Sequence, residues 1–239
     1  MLSARDALVR REQFALSGDF YVPAGELHAL VGRNGAGKTT WLLLLAGRID
    51  PSAGEVLCSG APVRPPRVAY LPARAEDAVL GARRLLEVEL TLGVQGDMQD
   101  PGKRLEALER QLDLPLERTG GHGELFMRAL LGLMAMEPYA LLLDEPTSRL
   151  GPTARRSVYR ALTRLRDAGL AVVTATHDPE LAPLADRLWL VDAGTIREVS
   201  LEGAVACGAM RAPEIGGAFL GSVPLDADAS GALRRILRP

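Results

Sequence analysis

Gly32 to Thr40 reads Gly-Arg-Asn-Gly-Ala-Gly-Lys-Thr-Thr and follows an apolar run from Leu27 to Val31. This is the spacing of a phosphate-binding loop, with a buried strand predicted before it and a helix predicted over Thr39 to Ala46. Gly32, Gly35 and Gly37 leave backbone that takes unusual φ and ψ values, so successive N–H groups from Gly32, Arg33, Asn34, Gly35, Ala36 and Gly37 can turn toward an anionic polyphosphate. Lys38 puts a point charge on the β- and γ-phosphates. The Thr39 hydroxyl is placed to ligate Mg2+, Thr40 completes the motif, and the following helix points its positive end at the same phosphates.

Two further stretches carry groups of chemical interest. Ala140 to Leu143 is a short apolar run that ends in two carboxylates, Asp144 and Glu145. Charge at the carboxyl end of such a run is the pattern of a central parallel strand delivering side chains to a ligand crevice. Leu170 to Thr174 is a second buried run, and His177 lies just beyond it. His28 and His122 are expected to be structural or on the surface.

The elements that must position these groups follow from pattern. Residues 1 to 31 read as antiparallel strands, Ala7 to Arg10 and Phe14 to Tyr21, with Ser17-Gly18-Asp19 as turn residues and a further turn at Pro23 to Glu26. Trp41 to Leu45 is apolar all round, which implies a helix buried on several sides and stopped by Gly47 and Pro51. Val68 to Leu71 reads as a strand. Between 73 and 136 the character is helical, over Arg83 to Leu92, Lys103 to Leu114 and Leu125 to Met136. A helix opening at Pro152, with Val158, Leu162 and Leu165 inward, stops at Gly169. Arg187 to Asp192 and a turn at Ala193-Gly194 read as a hairpin. The expected fold is α/β: a P-loop core with a mainly parallel sheet and helices on both faces, N-terminal antiparallel strands and an inserted helical subdomain. The expected division is a domain over 1–200, with its core at 1–72 and 139–200 and the helical subdomain at 73–138, then an extension over 201–239.

Composition narrows the function. The 239 residues are 47% hydrophobic, enough for a sizeable interior, and the net charge of -2 gives no global attraction to nucleic acid or anionic lipid. Two distant cysteines, Cys58 and Cys207, suggest neither a disulfide framework nor a zinc site, and a reducing cytosolic setting is expected. The N-terminus lacks the apolar core of a signal peptide, and no uncharged apolar stretch approaches the ~18 residues that span a bilayer. Work at a membrane would require another chain as anchor.

The order of these parts resembles the nucleotide-binding subunit of ABC transporters over roughly residues 5 to 200. The residues that carry the resemblance are GRNGAGKTT at 32–40, ALLLDEPTSRLGP at 140–152 and VVTATHDPELAPLADRLWLVDAGTI at 172–196. The resemblance implies binding and hydrolysis of ATP with Mg2+. Asp144 would hold the Mg2+ shell, Glu145 would polarise the attacking water, and His177 would contact the γ-phosphate. It also implies a membrane-embedded permease as partner, a second ATPase subunit, and a place in the cytoplasm against the inner face of the cell membrane. Adenine stacking, given in the family by an upstream aromatic, would fall to Phe14 or to Arg11 as a planar cation, and the alternative is that Phe14 is a strand core residue.

Three positions depart from the family pattern. The LSGGQ signature falls on Gly120-Gly121-His122-Gly123-Glu124, where its serine is Gly121; the glutamine expected after Tyr70-Leu71-Pro72 is Ala73; and the aspartate expected after Asp144-Glu145-Pro146 is Gly151. In the family each nucleotide lies between one chain's phosphate loop and the other chain's signature. A nearly complete first half and a poor second half therefore imply an unlike pair rather than a homodimer. The segment Ala73 to Gly81, leading to Leu86 to Leu90, looks similar to that of energy-coupling-factor ATPases, which commonly work as unlike pairs, although two of its polar positions are Ala73 and Ala78. Two other readings stand beside this one: a regulatory subunit impaired in hydrolysis, and a non-transport ATPase of the same superfamily acting on DNA or the ribosome.

Overall fold

This computed structural model describes residues 1–11, 14–63, 67–74, 101–114 and 122–211, and within 101–105 and at 122 the backbone only. The strands are β1 (Leu2–Arg11), β2 (Phe14–Val22), β3 (Leu27–Val31), β4 (Ala53–Cys58), β5 (Ala61–Pro62), β6 (Val68–Leu71), β7 (Ala140–Asp144), β8 (Ala171–Ala175), β9 (Arg187–Asp192) and β10 (Thr195–Val199). The helices are α1 (Lys38–Leu45), α2 (Pro101–Leu112), α3 (His122–Ala135), α4 (Pro152–Asp167) and α5 (Leu201–Ala206). Among the described residues the strands form one sheet in the order β5-β4-β1-β2-β10-β9-β3-β8-β7-β6.

The half that carries the chemistry is parallel: β6 pairs with β7, β7 with β8, β8 with β3, and β3 with β9. All five residues of β3, β7 and β8 are buried, as the unbroken apolar runs require of strands covered on both faces. Period two divides each strand between two cores. Leu141 and Leu143 join α2, α3 and α4 on one face, and Ala140 and Leu142 join α1, β1 and β2 on the other. Full burial of a leucine contributes roughly 1.5–3 kcal/mol, and Leu42, Leu44 and Leu45 of α1 are all fully buried with Trp41. That is why a helix of only eight residues holds its place behind the loop.

The N-terminal strands differ from expectation in one respect. Ser17-Gly18-Asp19 is not a turn but lies within β2, and the chain reverses between Arg11 and Phe14, which pair across the hairpin. Gly18 is required for a different reason: a Cβ there would lie 2.2 Å from Ile196 Cγ2, because β10 runs directly against β2. The irregularity falls on β1, where the register shifts between Ala4 and Ala7 and the Asp6 amide donates to Asp19 Oδ1 at 2.7 Å. β1 also begins at Leu2, five residues before the expected start.

α2 and α3 cover most of the helical expectations at 103–114 and 125–136; the expected helix at Arg83–Leu92 lies outside the described residues. His28 is fully buried. Past residue 198, α5 is capped by Ser200, and Ala204, Ala209 and Met210 pack on Ala29, Val31, Leu188 and Leu190. Among the described residues no helix is long and apolar enough to cross a membrane.

Candidate functional site

β3, β7 and β8 are adjacent and parallel, so their carboxyl ends open on the same edge of the sheet. The segments that follow them hold the residues singled out by sequence: Gly32–Thr40 after β3, Asp144 and Glu145 at the end of β7, and His177 two residues after β8. Open sheets bind ligands at this edge.

The loop supplies exposed backbone. Arg33, Asn34, Gly35 and Thr39 are exposed, and Ala36, Gly37 and Thr40 are half-buried. Gly37 is the N-cap of α1 at φ 110°, and no side chain caps the helix, which leaves its opening N–H groups to an outside acceptor. Lys38 turns back into the loop. Its Nζ donates to the carbonyl oxygens of Gly32 at 2.8 Å and Arg33 at 3.3 Å, and stands 2.8 Å from His177 Nε2. Burial depresses its pKa, against the raising pull of Glu145 and Asp144.

Thr39 Oγ1 donates to Asp144 Oδ2 at 2.7 Å, joining residues 105 apart in the chain. Asp144 is buried, which raises its pKa, and the Tyr70 hydroxyl at the end of β6 bonds to the same carboxylate. The Tyr70 phenol is pushed up to about 12, by burial first, and the Arg48 guanidinium lies 5.3 Å from its ring.

Glu145 sits at φ 48°, a left-handed conformation uncommon for a residue with a Cβ. Its amide donates to the Ala175 carbonyl at 2.8 Å, and the Ser148 amide and hydroxyl both donate to the Glu145 carbonyl, so the turn is held from both sides. The His177 amide donates to Glu145 Oε2 at 3.3 Å, and the His177 ring stands 3.5 Å from Oε1. Burial raises the Glu145 pKa. Burial and the Lys38 charge lower that of His177, against a bond from its ring to the Ala209 backbone. A neutral His177 that donates to Ala209 presents its other nitrogen as an acceptor to Lys38.

The residues present suit a polyphosphate with its divalent cation. Uncapped N–H groups and a buried ammonium face anionic oxygens, while a hydroxyl and a carboxylate share a position suited to Mg2+. Phe14 adds one detail: a Cβ on Gly37 would lie 2.5 Å from Phe14 Cζ, so that ring rests on the loop.

Other expected positions are partly described. Ala73 is exposed after β6, and Gly151 is the N-cap of α4 with no side chain to offer. Gly120 and Gly121 lie outside the described residues. Gly123 lies in the first turn of α3, where a Cβ would approach Ala154 and Leu150 at ordinary contact distances of 3.6 and 3.7 Å. Sequence reasoning passed over Tyr70, Tyr159 and Asp178. Only Asp178 carried a signal, its place next to His177, since the partners of the two tyrosines are distant in the chain.

The sequence profile described as ABC transporter matches residues 17–148. A putative ABC transporter ATP-binding protein of Methanothermobacter marburgensis is 33% identical over 202 residues, covering 76% of this chain and 72% of that protein. The energy-coupling factor transporter ATP-binding protein EcfA2 of Methanospirillum hungatei is 34% identical over 197 residues, covering 73% of this chain and 48% of its own length. Among solved structures, an ATP-binding subunit of an ABC transporter shares the fold with a TM-score of 0.71 at 21% identity, over 88% of this chain and 94% of that one. A loop, a carboxylate pair and a histidine gathered at one sheet edge thus sit on a fold and a sequence that agree, and the chain belongs to the ATP-binding subunits of ABC transporters.

Proposed function

We propose that this chain binds MgATP on Gly32–Thr40 and hydrolyses it as one member of an unlike pair of ATPase subunits that drives a membrane permease. The observation that carries the hydrolytic part is the convergence of Lys38, Asp144, Glu145 and His177, with Thr39 Oγ1 2.7 Å from Asp144 and Lys38 Nζ 2.8 Å from His177. Thr39 and Asp144 would hold Mg2+, whose charge would supply neutralisation of the phosphate oxygens. Lys38 binds the β- and γ-phosphates as a buried charge. Glu145 orients the water and accepts its proton. A raised carboxyl pKa makes it a better base than an ordinary surface glutamate. His177, held by its amide on Glu145, faces the γ-phosphate and orients the attacking water, whose O–H its Nε2 can accept once Lys38 has turned to the phosphates. Catalysis here is positioning and charge neutralisation rather than covalent chemistry.

The unlike pair follows from the departures. Gly121 weakens what this chain would give to a partner's nucleotide, and Ala73 and Gly151 are further departures, the first at the position that would couple the metal site to the membrane partner, while Lys38, Asp144, Glu145 and His177 keep what the chain gives to its own nucleotide. The similarity to EcfA2 supports an energy-coupling-factor type of transporter. The proposed location is the cytoplasmic face of the membrane, through the permease, with 1–200 as the ATPase domain and 201–239 as an extension. The same losses favour a second reading, a nucleotide-bound regulatory subunit. ATPase assays of the full-length chain, alone and with its candidate partner, separate the two. The proposal predicts background turnover alone and turnover on pairing that Lys38→Ala lowers at least about tenfold. Full activity of the chain alone, abolished by Lys38→Ala, contradicts the unlike pair. Turnover of the pair that is indifferent to Lys38→Ala supports the regulatory reading.

A further inference from the structure

Behind Glu145 and His177 lies a buried set of hydrogen bonds that the chemistry above does not use. Asp178, the residue after His177, is only 8% exposed. Its Oδ2 accepts from Thr147 Oγ1 at 2.6 Å and from the Tyr159 hydroxyl at 2.6 Å, and its Oδ1 accepts from the Glu180 amide at 2.9 Å. The Asp178 amide donates to Thr176 Oγ1 at 2.9 Å. Thr147 and Tyr159 are themselves buried, at 2% and 8% exposure.

The topology gives these bonds a consequence. Thr147 is two residues past Glu145, in the turn after β7, and Asp178 is one residue past His177, in the turn after β8. Their bond ties together the two turns that bring Glu145 and His177 face to face. Tyr159 reaches the same oxygen from α4, which is anchored elsewhere by Arg160 to Asp113 at 3.0 Å and by Arg164 to the Gln111 carbonyl at 3.1 Å. The direct contact of His177 with Glu145 is long, 3.3 Å from the amide. A contact of that length depends on the backbone behind it.

We propose that Tyr159 is a positioning residue for hydrolysis: by holding Asp178 against Thr147 it fixes the turn that presents His177 to Glu145. The inference rests on Glu145 and His177 being the hydrolytic pair. Tyr159→Phe keeps the ring and its packing and removes one oxygen, so its effect falls on the geometry of the pair rather than on the core.

The test is MgATP turnover by the full-length chain in its hydrolysing assembly, with Glu145→Gln as the inactive control. Tyr159→Phe is expected to lower kcat by about three- to tenfold while KM for ATP stays within about twofold. In single-turnover hydrolysis, Tyr159→Phe is expected to add nothing to the loss caused by His177→Ala, because the two act through one element. Should Tyr159→Phe fail to fold, Thr147→Val cuts the companion bond and carries the same expectation. Parental kcat in a folded variant beside an inactive Glu145→Gln overturns the brace alone, as does an undiminished further loss in the His177→Ala background. Turnover that survives Glu145→Gln overturns the assignment of the pair, and the brace with it.

Discussion

A Cβ added at Gly32 would lie 2.3 Å from the Val191 carbonyl oxygen, which is backbone of β9 and has no rotamer by which to yield. Gly32→Ala must therefore displace either the loop or the strand beside it. The expected outcome is loss of ATP affinity by at least about tenfold with destabilisation of about 2 kcal/mol, read by nucleotide titration and by denaturant unfolding. Gly35→Ala is the contrast: nothing lies within 4 Å of its Cβ, and its cost is confined to backbone strain at φ 80°. At this scale the sequence was informative because the loop's residue types are dictated by local geometry, where a glycine, a lysine and a threonine at fixed spacing leave few other uses. Tyr70 and Tyr159 were illegible for the opposite reason. Each looks like core filling in its own segment, and the hydroxyl's partner lies 74 or 19 residues further on and becomes a neighbour only when the sheet forms.

β3 carries a second kind of group into the interior. His28 is fully buried, accepts from Trp189 Nε1 on Nδ1 at 3.1 Å, and places Nε2 2.7 Å from Glu26 Oε2. With Nδ1 used as an acceptor the proton sits on Nε2, so the ring is neutral. Burial lowers its pKa despite the raising effect of Glu26. A histidine held neutral when folded favours the native state at pH above the unfolded value of about 6.5, and that contribution is lost as the pH falls below 6.5 toward the depressed folded value. Thermal unfolding between about pH 7.5 and 5.5 should show stability falling on acidification, with a shallower slope in His28→Gln. Equal slopes would remove His28 from the balance. α4 offers a prediction of the other sign. Its N-cap, Gly151, has extended dihedrals of φ -68° and ψ 165° and open space around a Cβ, so Gly151→Asp should supply the missing cap and stabilise by about 0.3 kcal/mol, seen as a small rise in Tm. The parallel strands and α1 were legible because burial on both faces demands unbroken apolar runs. β2 was misread at Ser17-Gly18-Asp19 because a glycine marks a turn and a close strand contact equally well, and only β10 distinguishes them.

The whole molecule places a phosphate loop, a carboxylate pair and a histidine from three strand ends at one edge of a sheet, with separate cores above and below to hold them. That assembly was readable from the order of motifs along the chain. The departure at Gly121 was readable too, but the unlike partner proposed to complement it is a property of another chain. MgATP hydrolysis by the full-length transporter assembly, with this chain parental or carrying Glu145→Gln, tests most directly whether its own half-site does chemistry. The expected result is a fall in phosphate release of at least about a hundredfold with ATP binding preserved. Release at the parental rate from the Glu145→Gln assembly would show that the bond is broken elsewhere, and would contradict a hydrolytic role for this chain.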